Sequence, residues 1–75
     1  MKIDQRYSDG RETRLGDRVT YNGQHGGVVF VADRGEFKSG YDWKEYSSGV
    51  MVEFENGGRL LLDRADDHLL EYASG

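Results

Sequence analysis

Residues 15–31 read Leu-Gly-Asp-Arg-Val-Thr-Tyr-Asn-Gly-Gln-His-Gly-Gly-Val-Val-Phe-Val. Val19 and Tyr21 alternate with Arg18 and Thr20, the two-residue period of a half-buried strand. Asn22-Gly23 is the dipeptide that best tolerates the positive φ angles of a tight hairpin turn. Gly26-Gly27 then lets the chain change direction. Val28, Val29, Phe30 and Val31 follow as an apolar run of strand formers. The stretch predicts two strands and a turn. The inward face of the second strand stays open between two registers, one burying Val29 and Val31 and the other Val28 and Phe30.

The same patterning extends outward in both directions. Upstream, Asp9-Gly10 is a second turn signal, preceded by either a short edge strand over 1–8, with Ile3 and Tyr7 among polar residues, or a loose arm over 1–6. Arg11 to Leu15 can pair back across that turn, and Asp17 can accept local backbone hydrogen bonds. Downstream, Val50, Val52 and Phe54 alternate with Met51, Glu53 and Glu55. Asn56-Gly57-Gly58 is a third turn. Leu60 and Leu62 then face one way and Leu61 the other. A polar corner over 63–67 reads as one helical turn capped by Asp66 or Asp67. A last short strand or turn over 68–72 closes the domain with Leu69, Leu70 and Tyr72, with a frayed end at 73–75. The expected core is Leu15, Val19, Tyr21, Val29, Val31, Val50, Val52, Phe54, Leu60, Leu62 and Leu70. Between the two halves, residues 33–48 are polar and without a clean period, yet hold Phe37, Tyr41, Trp43 and Tyr46. Long connections of this kind are often functional.

Seventy-five residues with eleven glycines and no proline make one small domain with many turns. Five or six short strands with turn chemistry between them predict an all-β barrel or sandwich. No cysteine is present, so no disulfide or thiolate metal site braces the fold. No apolar run approaches the roughly 20 residues of a membrane span, and the first residues lack the apolar core of a signal peptide. The expectation is a cytoplasmic protein without membrane attachment. The net charge is −4 and uneven. Residues 1–32 carry five bases and four acids; residues 33–75 carry five bases and ten acids. An acidic face disfavours phosphates and favours basic partners.

Gly16-Asp17-Arg18-Val19, a glycine at Gly26 or Gly27 and the valine-rich run 28–31 together resemble the KOW-type version of the SH3-like barrel. Tyr7-Ser8-Asp9-Gly10, Val50 to Phe54 and Leu60 to Leu62 extend the likeness over residues 7–72. The resemblance implies a small barrel of five to six antiparallel strands with one long aromatic loop, as a single domain over 1–75. It is similar in look to small bacterial SH3-like proteins, some of which are immunity proteins that neutralise secreted toxins. KOW domains also bind RNA or ribosome- and transcription-associated proteins. Their nucleic-acid-binding members are basic around these loops, and this chain is not.

Chemistry is sparse. His25 and His68 are far apart, and neither Asp17 nor Asp66-Asp67 adds a ligand spacing, so no metal or cofactor is expected. No nucleophile stands with a base at recognisable spacing, and no phosphate-loop pattern occurs; the chain reads as a non-enzyme. The leading expectation is a non-catalytic protein-binding module, most concretely an immunity-type inhibitor that occludes the site of a toxin. Its candidate partner-binding residues are Asp33, Glu36, Phe37, Tyr41, Asp42, Trp43, Glu45, Tyr46, Glu53 and Glu55. Aromatics enriched at binding hot spots and carboxylates complementary to a basic toxin domain motivate that set. The alternative is an RNA-binding surface built from Arg11, Arg14, Arg18, Lys38 and Lys44. A third is a homodimeric structural module.

Overall fold

The protein is described by a computed structural model over residues 5–40 and 48–74. Its strands are β1 (Arg18–Tyr21), β2 (Gln24–Val31), β3 (Glu36–Phe37), β4 (Val50–Phe54), β5 (Arg59–Leu62) and β6 (Leu70–Ser74), with one 3₁₀ turn over Ala32–Arg34. All pairings are antiparallel, and the sheet order is β5-β4-β2-β1-β6, with β3 beside β2. The all-β expectation is met. The closed barrel is not: β5 and β6 are the two ends of the order, and no pairing joins them among the described residues.

One core is nonetheless shared from end to end. Leu62 of β5 and Leu70 of β6 pack with Val19, Val28, Val31, Val50 and Val52. Tyr7 and Ala65 belong to the same cluster, so the N-terminal segment and the corner after β5 contribute to this core. Tyr21, Phe54, Leu60 and Tyr72 pack against it as half-buried residues. The Tyr7 and Tyr72 rings lie 5.6 Å apart, tilted, a favourable aromatic arrangement.

The hairpin turn forms as read: Asn22 and Gly23 have φ of 49° and 84°. Gly26 and Gly27, however, do not turn the chain. They lie inside β2, paired with Val19 and Arg18 on one side and with Phe54 and Glu53 on the other. Gly26 is there because the next strand is too close: a Cβ would sit 2.7 Å from the Glu53 carbonyl oxygen.

Neither register of 28–31 holds throughout. Val28 pairs with Val52, but Phe30 pairs with Met51, so a bulge inserts one residue into β2. An extra residue inverts the alternation on one side of it. Val28 and Val31 therefore both face the main core, while Val29 and Phe30 pack with Met51, Ala32 and Leu61 in a second cluster. Other details also differ from expectation. Leu15 is half-buried rather than core. The 63–67 corner holds a bend at Asp63 and a turn at Ala65 and Asp66 and not a helical turn, and a second turn at His68 and Leu69 leads into β6. Ala73 and Ser74 extend β6, with Ser74 opposite Arg18. Of the two expectations for the N-terminal residues the loose arm fails at Gln5, which is 1 % exposed, and Arg6 makes an isolated antiparallel bridge to Glu12.

Two buried polar arrangements hold the loops to the sheet. Asp33 accepts from Gln5 Nε2 at 2.7 Å and from the Gly49 amide at 3.0 Å, while Gln5 Oε1 accepts from the Ala65 amide at 2.8 Å. Separately, Asp17 Oδ2 accepts from the Tyr7 hydroxyl at 2.8 Å and from the Arg14 amide at 3.0 Å. Burial, then the hydrogen bond to Asp17 and its negative charge, push the Tyr7 phenol well above its ordinary range. A phenol raised in the folded state stabilises fully below its unfolded value of about 10, and that contribution fades as pH rises above it. Alkaline titration should therefore unfold the native protein more steeply above about pH 10 than Tyr7→Phe. That variant should itself lose about 1–2 kcal/mol at neutral pH by leaving Asp17 short of a donor. Matching alkaline limbs in the two proteins, followed by circular dichroism, would contradict this.

Candidate functional site

The outward face of the sheet is divided by chemistry. Toward the β2 bulge it is apolar, carrying Val29, Phe30, Met51 and Leu61. Toward the Asn22-Gly23 turn it is polar. Arg18, Gly27 and Glu53 stand side by side across β1, β2 and β4, and Arg59 of β5 continues the row. Glu53 Oε2 accepts from Arg59 Nε at 3.1 Å. Arg18, on the other side of Gly27, has no ion-pair partner among the described residues.

A groove opens over this row. Its origin is a change of partner along one edge of β2. Val28 exchanges hydrogen bonds with the chain at Gly16 and Asp17, whereas the Val29 carbonyl accepts from the Lys38 amide at 3.0 Å. The chain entering β1 and the chain leaving β3 thus abut the same edge in succession. The groove, about 350 Å³, is bounded there by Gly16, Arg18 and Lys38 and across β2 by Glu53, Phe54 and Glu55; Gly26, Gly27 and Val29 line it between. Lys38 and Glu55 are exposed and, like Arg18, lack ion-pair partners among the described residues. Among the described residues, those that line it offer charge and bare backbone.

The structure thus brings together members of both candidate sets: Glu53 and Glu55 from one, Arg18 and Lys38 from the other. It separates the rest. Asp33, read as a surface carboxylate, is 2 % exposed and committed to Gln5 and Gly49. Glu36 is exposed and accepts from Arg34 Nε at 3.3 Å. Phe37 lies on β3 opposite Phe30 and is 42 % exposed. Arg14 pairs with Glu12 at 3.2 Å, and Arg11 lies 4.2 Å from the centre of the Tyr72 ring with Asp9 at 3.8 Å. Each of those two arginines is partly neutralised by its own neighbour. Tyr41, Asp42, Trp43, Lys44, Glu45 and Tyr46 lie outside the described residues.

Sequence reasoning missed Gly27 as part of a site. The available signal was a second glycine inside a run that otherwise reads as strand, at a position where the turn had already been made by Asn22-Gly23. It also missed the Gln5–Asp33 contact, which spans 28 residues and leaves no local pattern. No protein-family model matches the chain, and neither curated proteins nor solved structures give a match.

Proposed function

We propose that the chain is a non-catalytic, SH3-like protein-binding module that acts by occluding its partner's site, as an immunity-type inhibitor does with a toxin. The observation that carries this reading is that one groove holds both signs of charge, Arg18 and Lys38 facing Glu53 and Glu55 across Gly27. A nucleic-acid backbone presents one sign only. It would meet the Glu53 and Glu55 carboxylates as soon as it reached Arg18 and Lys38, and the counterion release that drives such binding would be largely cancelled. A protein surface carries both signs and can complement both. The net charge of −4 favours a basic partner and speeds its approach. A five-strand order whose two ends share one core supports the SH3-like reading.

The competing KOW-like reading, binding to RNA or to a ribosome- or transcription-associated protein, draws on the same Arg18 and Lys38. It is weakened because Arg11 and Arg14 have carboxylate neighbours of their own.

The test is affinity capture of the tagged chain from the cells that make it, with and without nuclease, followed by mass spectrometry. The expected result is one near-stoichiometric protein, toxin-like in kind, that survives nuclease. Glu55→Lys should weaken its capture and leave the circular dichroism spectrum unchanged. Ribosomal or polymerase components that vanish with nuclease, and that Glu55→Lys retains or strengthens, would overturn the reading.

A further inference from the structure

Of the glycines in β2, Gly26 has a reason within the chain, since a Cβ there would lie 2.7 Å from a backbone oxygen of the paired strand. Gly27 has none. A Cβ at Gly27 would meet only the Asp17 carbonyl oxygen at 3.5 Å, an ordinary contact, and its φ lies outside the left-handed region. Glycine in a strand interior costs about 0.5–1 kcal/mol relative to alanine. A glycine inside a strand marks a bulge, a tight bend or a place where a ligand or another backbone comes close; the β2 bulge lies beyond Gly27, between Val28 and Phe30, which leaves close approach.

The flanking charges agree. Adjacent strands lie about 4.8 Å apart, so Arg18 and Glu53, one strand to either side of Gly27, are separated by roughly 10 Å of sheet. Opposite charges that far apart do not pair with each other. Glu53 is satisfied by Arg59. Arg18 and Lys38 on one rim, and Glu55 on the other, are exposed and have no ion-pair partner among the described residues. The bare strip between the rims is about as wide as one extended chain.

We propose, resting on the protein-binding reading above, that this groove holds an extended segment of the partner. An acidic side chain of that segment lies between Arg18 and Lys38, a basic side chain lies against Glu55, and its backbone is seated directly on Gly27. Gly27 is then the specificity element of the surface. It admits backbone where any side chain would hold the segment away.

The test is a two-dimensional amide NMR titration of the full chain with three probes of equal length. They are a synthetic peptide alternating Glu-Val-Lys-Val, an all-glutamate peptide and a single-stranded oligouridylate. The mixed-charge peptide should shift the amides of Arg18, Gly27, Lys38 and Glu55, and bind at least about tenfold more tightly than the all-glutamate peptide. Gly27→Leu should retain a dispersed spectrum and lose that binding at least about tenfold. Arg18→Glu, which leaves the strand backbone untouched, should weaken it too. Shifts that ignore both substitutions, equal response to the all-glutamate peptide, or response to the oligouridylate alone would each overturn the proposal. The affinity capture separates it from the reading beneath it. If Gly27→Leu still captures a nuclease-resistant protein at full yield, the groove is not the contact surface but the chain is still a protein binder. If only nuclease-sensitive material is captured by the unmodified chain, both fall.

Discussion

Asp33→Ala is expected to remove much of the folding stability, about 2–6 kcal/mol for two buried donors left without their acceptor. The carboxylate is 2 % exposed and accepts from Gln5 Nε2 at 2.7 Å and from the Gly49 amide at 3.0 Å. Without it, two donors are left where water cannot replace the lost acceptor, at roughly 1–3 kcal/mol each. The damage spreads through Gln5, which also donates to the Asp63 carbonyl at 3.1 Å and accepts from the Ala65 amide. One carboxylate thus joins the N-terminal segment, the 3₁₀ turn, the entry to β4 and the corner between β5 and β6. A domain of this size has only a few kcal/mol to lose. Asp33→Asn keeps one acceptor oxygen and should lose markedly less. Urea unfolding followed by circular dichroism measures both, and a loss below about 1 kcal/mol in the alanine variant would show that the network contributes little. The same position had read as a contact carboxylate for a basic partner. Asp33→Lys should accordingly unfold the chain rather than selectively weaken a complex.

Gly26→Ala and Gly27→Ala should differ sharply although the two positions are adjacent. At Gly26 the new methyl would lie 2.7 Å from the Glu53 carbonyl oxygen, 3.0 Å from Val52 Cγ1 and 3.1 Å from Phe54 Cδ1. The nearest of these is backbone of the neighbouring strand and cannot swing aside. Relief requires β2 and β4 to move apart at the centre of the sheet order. Overpacking of this kind costs about 1–3 kcal/mol, and the lost strand pairing adds to it. At Gly27 the methyl meets only an ordinary contact. Removing a glycine from the unfolded ensemble then leaves stability unchanged or raises it by up to about 1 kcal/mol. Thermal unfolding should place Gly26→Ala well below the native protein and Gly27→Ala level with it or above. If they unfold together, the steric distinction between the two glycines is wrong, and with it the argument that Gly27 is free to serve a partner.

Much of the strand plan was legible because it is written locally. Val50, Val52 and Phe54 face the main core and Met51 and Glu53 the other side, as their alternation required. Leu60 and Leu62 separate from Leu61 in the same way. Asn22-Gly23 adopts the positive φ pair that its chemistry favours. The candidate site was legible only in pieces. Glu53, Glu55, Arg18 and Lys38 were each singled out, but as members of opposing sets, because nothing local says that residues 18, 38 and 55 border the same groove.

Local residue patterns suffice for the order of most strands along the chain, for most of the places where it reverses, and for which face of β4 and β5 is apolar. These depend on backbone preferences and on two-residue alternation, which act over a few neighbouring residues. The bulge in β2, the burial of Asp33, the open sheet and the placement of opposite charges on either side of Gly27 came only with the folded chain. Each depends on where a distant strand ends up. The bulge is defined by which residue of β4 faces Val28 and Phe30. Asp33 is buried because Gln5, 28 residues earlier, reaches it, and the groove exists because β1 and β3 take turns along one edge of β2. Side-chain character sets what a residue can do, but burial and proximity are properties of the pairing, and pairing between distant strands is settled only when the whole chain closes on its core.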